Sequence, residues 1–241
     1  MTVGGVPGFL PSVYGLHFAN SFPPGPTVRI GPFDTRFLFG LGDAAAGLCG
    51  GMALTARDLF EARQPSPPDT VPPVNGTPRF DALVRRQVQS LDWFKVPLHY
   101  LNLQALRGDP PTGIAATLGR EPARVVAYLE EWPAIRAEID GGHPSVVGLV
   151  RTNDNSPFAL TQNHQVLGYA YEESPQLVVM HVYDPNHPGQ DDVELRVDIL
   201  PTTTLVWRDR IRLTQSTGEP LFGFLHQPYP ASPLLRAWRT A

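Results

Sequence analysis

The chain holds one cysteine, Cys49, in Gly47-Leu48-Cys49-Gly50-Gly51-Met52. This glycine-rich turn runs into Met52-Ala53-Leu54-Thr55-Ala56-Arg57-Asp58-Leu59-Phe60-Glu61-Ala62, which reads as a helix. A thiol at a helix N-terminus meets unpaired backbone N–H groups and the positive end of the dipole, and both favour the nucleophilic thiolate. Far downstream come His164, in Gln162-Asn163-His164-Gln165-Val166, and Asp184, in Val182-Tyr183-Asp184-Pro185-Asn186. Cysteine, histidine and aspartate in this order supply a nucleophile, a base and a group that orients the base. Asn186 is an alternative orienter, because its amide oxygen accepts from an imidazole N–H.

These side chains need elements to place them. The helix carrying Cys49 ends by Ala62. The stretch from Gln64 to Pro78 is proline-rich and reads as a surface loop rimming a cleft. Phe80, Leu83, Val84, Val88 and Leu91 mark one face of a second helix. A shorter helix spans Leu98 to Leu106. Another begins at Pro122, is restarted or kinked at Pro133 and ends at Gly141-Gly142. From residue 144 the pattern turns to strands: Ser145–Val150, Gln165–Tyr171, Leu177–Tyr183, Val193–Ile199, Thr204–Trp207 and Leu221–Leu225. Earlier short strands are expected at Val13–Phe18 and Thr27–Ile30. His164 begins one strand and Asp184 ends the next, so a hairpin brings both to one end of a sheet. Helices first and strands afterwards is an α+β arrangement, not alternating βαβ units.

Bulk properties narrow the classes. The 241 residues are 42% hydrophobic and 17% charged, enough for a sizeable core. Net charge is −4, which argues against nucleic acid as a partner, since phosphate backbones need a basic face. A single cysteine allows no internal disulfide. Residues 1–8 lack a basic segment followed by a long apolar one, so no signal peptide is read and a cytoplasmic location is expected. No apolar run approaches the roughly 20 residues of a membrane helix. His164, His181 and His187 match no zinc spacing, so neither a metal nor any other cofactor is expected. The four tryptophans share no spacing and read as core or rim packing.

Four segments together resemble a known family: Cys49-Gly50 opening a helix, Gly142-His143-Pro144-Ser145-Val146-Val147-Gly148-Leu149, Asn163-His164-Gln165-Val166-Leu167-Gly168-Tyr169, and Val182-Tyr183-Asp184-Pro185. In this order they resemble the papain-like cysteine peptidase superfamily, within it the double-glycine leader peptidase-like group of bacteriocin-processing domains. The resemblance covers roughly residues 40 to 190. It implies one papain-like domain over 1–241, with a helical subdomain about 43–142 and a β subdomain about 143–228. It also implies Cys49 as nucleophile, His164 as general base and Asp184 as its orienting anion. The family carries a glutamine six residues before the cysteine, where its amide helps hold the oxyanion; here that position is Asp43. An ionised carboxylate repels a developing oxyanion, so Asp43 serves only if protonated. The Cys49 backbone N–H, and Gln162 or Asn163, are the other candidate donors.

Two functions follow as expectations. The first is a cysteine hydrolase or acyl-transferase acting on peptide or amide bonds through a thioester. The second is a catalytically silent domain of the same fold that binds a peptide or partner protein. The triad favours the first and Asp43 the second. Known members of the bacteriocin-processing group are fused to transporters, and no transporter segment is read here, so substrate class does not transfer with the fold. Oligomeric state is left open.

Overall fold

A computed structural model describes residues 1–23, 29–30, 33–34, 47–92, 95–106, 121–152, 162–201 and 207–238. The β-branched run Ser145–Val150 (β4) is buried at every position, as a strand covered on both faces must be. It lies between β5 (His164–Ser174) and β9 (Gly223–Gln227). The sheet continues from β5 to β6 (Leu177–Tyr183), β7 (Glu194–Ile199) and β8 (Ile211–Gln215), every pairing antiparallel. An additional strand, β1 (Thr2–Gly5), pairs with the far half of β5. Arg29–Ile30 (β2) and Phe33–Asp34 (β3) form a separate two-stranded hairpin. In β7 the burial alternates strictly, one face to the core and one to solvent.

Helices cover the sheet. They are α1 (Pro11–Tyr14), α2 (Cys49–Glu61), α3 (Pro78–Ser90), α4 (Lys95–Ala105), α5 (Ala123–Val126) and α6 (Trp132–Asp140). A π-helical turn, Ala127–Glu131, joins α5 to α6. The kink expected at Pro133 is this turn: proline cannot donate to the preceding turn, and a local widening absorbs the lost bond. The architecture is thus α+β, mixed helix and curled antiparallel sheet.

Two expected elements differ. Val13–Phe18 is not a strand: Pro11 stands at the start of α1, where its fixed φ suits a helix, and Gly15 ends it in extended backbone. Of the strand expected over Thr204–Trp207, residues 204–206 lie outside the described residues, and Trp207 begins a 3₁₀ turn, Trp207–Arg210. No strand was expected over Ile211–Gln215, which forms β8; its outward side chains, Arg212 among them, interrupt the apolar pattern.

Three apolar clusters result. Ala53 and Leu54 of α2 pack with Ile135 and Ile139 of α6 on Val146, Val166, Leu167 and Met180 of the sheet. Met52 and Leu59 of α2 meet Phe80 and Leu83 of α3, with Leu16, Phe18 and Trp238. Val96, Tyr100 and Leu103 of α4 pack on Val150 and Leu225. Helix α2 is therefore held on both sides, which fixes the direction of its N-terminus. Ion pairs add to this: Arg57 to Glu138 of α6 at 2.6 Å, and Asp58 to Arg86 of α3 at 2.9 Å.

Two glycines set how closely α2 is approached. A Cβ on Gly51 would stand 2.3 Å from the Leu83 carbonyl oxygen, which is backbone of α3 and has nowhere to go. Gly51→Ala gains helix propensity of at most about 1 kcal/mol, but forcing two helices apart costs about 1–3 kcal/mol. The expected result is a lower thermal midpoint, by several degrees at about 2–4 °C per kcal/mol. A midpoint unchanged or raised would show that the helices do not touch there.

Candidate active site

Gly47 turns the chain at φ +91°, a conformation that favours glycine, and delivers Leu48 to the helix start. Helix termini leave N–H groups without intrahelical partners, and here most are met from elsewhere. Leu48 N–H donates to Asn20 Oδ1 at 2.6 Å and Gly51 N–H to Gln87 Oε1 at 2.9 Å. The backbone N–H of Gly50 favours the ionised form of Cys49. Cys49 itself is half-buried.

His164 opens β5 and Asp184 follows the last residue of β6. The register, Leu167 opposite Tyr183 and Gly168 opposite Val182, brings them to the same end of the hairpin. His164 Nε2 meets Asp184 Oδ1 at 2.6 Å, and the ring lies close enough to the Cys49 sulfur for each to shift the other's ionisation. With Nε2 spent on the carboxylate, Nδ1 is the nitrogen that faces sulfur. The structure thus brings the three residues together as a chain of contacts.

The electrostatics follow from that contact. Burial alone pushes the Cys49 thiol up, but the facing His164 cation and the N–H groups of Gln165 and Gly50 bring it below its ordinary value. Burial alone pulls His164 down; the Asp184 carboxylate and the Cys49 sulfur overrule it and raise it to about 9. Burial would raise Asp184, yet His164, the Asn186 N–H and Arg151 hold it well below the usual carboxylate range. The arrangement favours thiolate and imidazolium over thiol and imidazole.

Asp184 is fully buried, so each lone pair needs a donor. Oδ1 also accepts the Asn186 backbone N–H at 2.8 Å. Oδ2 accepts from Gln215 Nε2 at 3.0 Å and Arg151 Nη2 at 3.3 Å. Arg151 follows β4 and Gln215 closes β8, four places apart in the sheet order, yet Arg151 Nη2 bonds Gln215 Oε1 at 2.7 Å. The sheet curls until the ends of β4 and β8 meet around Asp184. Neither residue carried a signal in the sequence, since only long-range strand pairing brings them here.

A second polar chain holds His164 from behind. Tyr100 Oη donates to the His164 carbonyl at 2.8 Å and accepts from Gln227 Nε2 at 3.3 Å; Gln227 Oε1 accepts from Gln165 Nε2 at 2.7 Å. Tyr100 reaches this place across Gly148, where a Cβ would stand 2.3 Å from its hydroxyl. A Cβ on Gly50 would stand 1.6 Å from Gln165 Oε1, so the glycine after the nucleophile lets β5 come up to the helix start.

The remaining expected site residues fall elsewhere. Asp43 lies outside the described residues. Gln162 Oε1 accepts from Thr152 Oγ1 and Asn163 Oδ1 from the Arg151 N–H, so both are tied to the segment after β4. The Asn186 side chain does not orient His164: its Oδ1 accepts from Asn20 Nδ2, and its part in the site is the backbone N–H on Asp184. His181 stands between Glu172 and Glu194, and His187 beside Glu219. Among the described residues no group of three or more His, Cys, Asp or Glu could hold a metal, and no helix is long and apolar enough to cross a membrane. Comparison with protein-family models, curated proteins and solved structures gives no match.

Proposed function

We propose that the chain is a cysteine-dependent hydrolase or acyl-transferase of papain-like fold that acts on peptide or amide bonds. The observation that carries this reading is His164, fully enclosed between the Cys49 sulfur and the Asp184 carboxylate, with its pKa raised to about 9. A histidine serving only the core has no need of a thiol on one nitrogen and a buried anion on the other.

The chemistry runs in two halves. The Cys49 thiolate attacks the carbonyl carbon; a C–S bond forms and the π pair moves to oxygen. When the tetrahedral species collapses, the C–N bond breaks and the amine leaves with the His164 proton, leaving a thioester. Neutral His164 then takes a proton from water, or from an acceptor amine or alcohol, which attacks the thioester. The C–S bond breaks and the thiolate reforms beside imidazolium. Asp184 stabilises that cation and fixes Nδ1 toward sulfur throughout.

The second reading, a silent papain-like domain that binds a peptide or partner protein, is favoured by Asp43 where the family resemblance implies glutamine. Hydrolysis of a peptide library separates the two. Turnover is expected in the wild-type chain and a fall of about a thousandfold or more in Cys49→Ala. Absence of cleavage, together with retained peptide binding by Cys49→Ala, would favour the silent domain.

A further inference from the structure

With an acid at position 43, the proposed reaction lacks a side-chain donor for the oxyanion where the resemblance implies one. Another carboxamide holds the residue before the nucleophile. Asn20 Oδ1 accepts the Leu48 N–H at 2.6 Å, and the Cys49 N–H is one peptide unit further on, about 3.8 Å of chain. Asn20 is also tied to the turn that carries Asp184: its backbone N–H donates to the Pro185 carbonyl at 2.9 Å and its Nδ2 to Asn186 Oδ1 at 3.2 Å. It therefore clamps the chain entering Cys49 to the chain leaving Asp184.

Gly47 is part of the same arrangement. A Cβ there would stand 2.7 Å from Asn20 Nδ2 and 3.1 Å from Oδ1, so a side chain at 47 would evict the amide. An amide nitrogen carries two hydrogens, and Asn186 takes one. The other has no acceptor among the described residues. The Cys49 N–H likewise has no acceptor there, whereas the Leu48, Gly51 and Met52 N–H groups are engaged. Gln162 and Asn163 are held by their side-chain oxygens to the segment after β4, and Asn163 Nδ2 is buried from solvent.

We propose that Asn20 is a catalytic residue: its second Nδ2–H joins the Cys49 backbone N–H in holding the oxyanion formed when the thiolate adds to a carbonyl. This assignment rests on the hydrolase reading above. It supplies a neutral donor fixed before the reaction, which is what a developing negative charge requires.

The test compares two reactions of the same sulfur. Acylation of Cys49 by p-nitrophenyl acetate passes through an oxyanion; alkylation by iodoacetamide does not. Asn20→Asp keeps an oxygen for the Leu48 N–H and removes the donor, while Asn20→Ala removes both. At one pH the ratio of acylation to alkylation rate is expected to fall by about a hundredfold in each variant, the loss that follows removal of one oxyanion donor. A ratio unchanged from wild type overturns the assignment. So does a parallel fall of both rates, which would make Asn20 a loop clamp alone. A wild-type chain that alkylates at low pH but is never acylated overturns the hydrolase reading itself, and the Asn20 assignment with it.

Discussion

At pH 6, iodoacetamide is expected to label Cys49 on the order of tenfold to a hundredfold faster in the wild-type chain than in His164→Ala. An isolated thiol with a pKa of about 8.5 is only about 0.3% thiolate at pH 6. In the folded chain, burial opposes ionisation of Cys49, but His164 and the N–H groups of Gln165 and Gly50 bring it below its ordinary value. If the ion pair is complete at pH 6, the thiolate fraction rises by about 300-fold, less a loss of intrinsic nucleophilicity as the pKa falls. Removing the imidazole removes the largest favourable influence and leaves burial, so the thiol of the variant ionises late. The two rates converge only once the pH passes the raised thiol pKa of the variant, and circular dichroism shows whether the variant is folded. Equal rates at pH 6 would mean that the sulfur and ring do not form a pair.

In the proposed reaction the same pair sets the alkaline limit of turnover. His164 must be protonated to deliver a proton to the leaving amine, and its pKa is about 9. The thiolate persists above that pH but the acid does not, so amide cleavage declines through about pH 9 while alkylation does not. The divergence of the two profiles separates a working acid from a merely reactive sulfur.

Cys49, His164 and Asp184, the proposed nucleophile, base and orienting anion, were legible because each sits at an element boundary that local pattern marks. Glycines precede and follow Cys49, Asn163-His164 opens an apolar strand, and Asp184-Pro185 closes one. Pairing those strands as a hairpin gives the register that joins His164 to Asp184. The residues that complete the site were not legible. Arg151 and Gln215 meet only because the sheet curls until strands four places apart touch, and no short window of sequence encodes curl. Tyr100 was seen only as part of a helix; that its hydroxyl crosses Gly148 to reach the His164 carbonyl depends on how α4 lies on β4. Asn20 lies in an irregular N-terminal stretch with no periodicity, and its role arises from two loops meeting. The strand expected at Val13–Phe18 shows the reverse error: a pattern of apolar residues suggested β structure, and Pro11 made a helical turn.

Asp184→Ala is expected to cost the fold about 3–5 kcal/mol, because it takes the counter-charge from the mostly buried Arg151 cation and leaves the Gln215 and Asn186 donors unsatisfied. The pH dependence identifies the cause. Asp184 has a folded pKa below its unfolded value, so its contribution is present above about pH 4 and lost as pH falls through the folded value. His164 has a folded pKa of about 9, above the ordinary 6.5, so its contribution is present below about pH 6.5 and lost as pH rises through 9. Both contributions are therefore whole between about pH 4 and 6.5. Denaturant unfolding should show wild type losing stability between pH 6.5 and 9 through His164, and Asp184→Ala losing less over that interval. Asp184→Asn tests the orientation rather than the charge alone. If its Nδ2 donates to His164 Nε2, the ring proton moves to Nδ1, the nitrogen that faces sulfur, and the ring can no longer take a proton there. Asp184→Asn should then keep more stability than Asp184→Ala yet lose turnover as heavily. Asp184→Asn with near wild-type turnover would mean that Asp184 stabilises the fold and does not direct the imidazole.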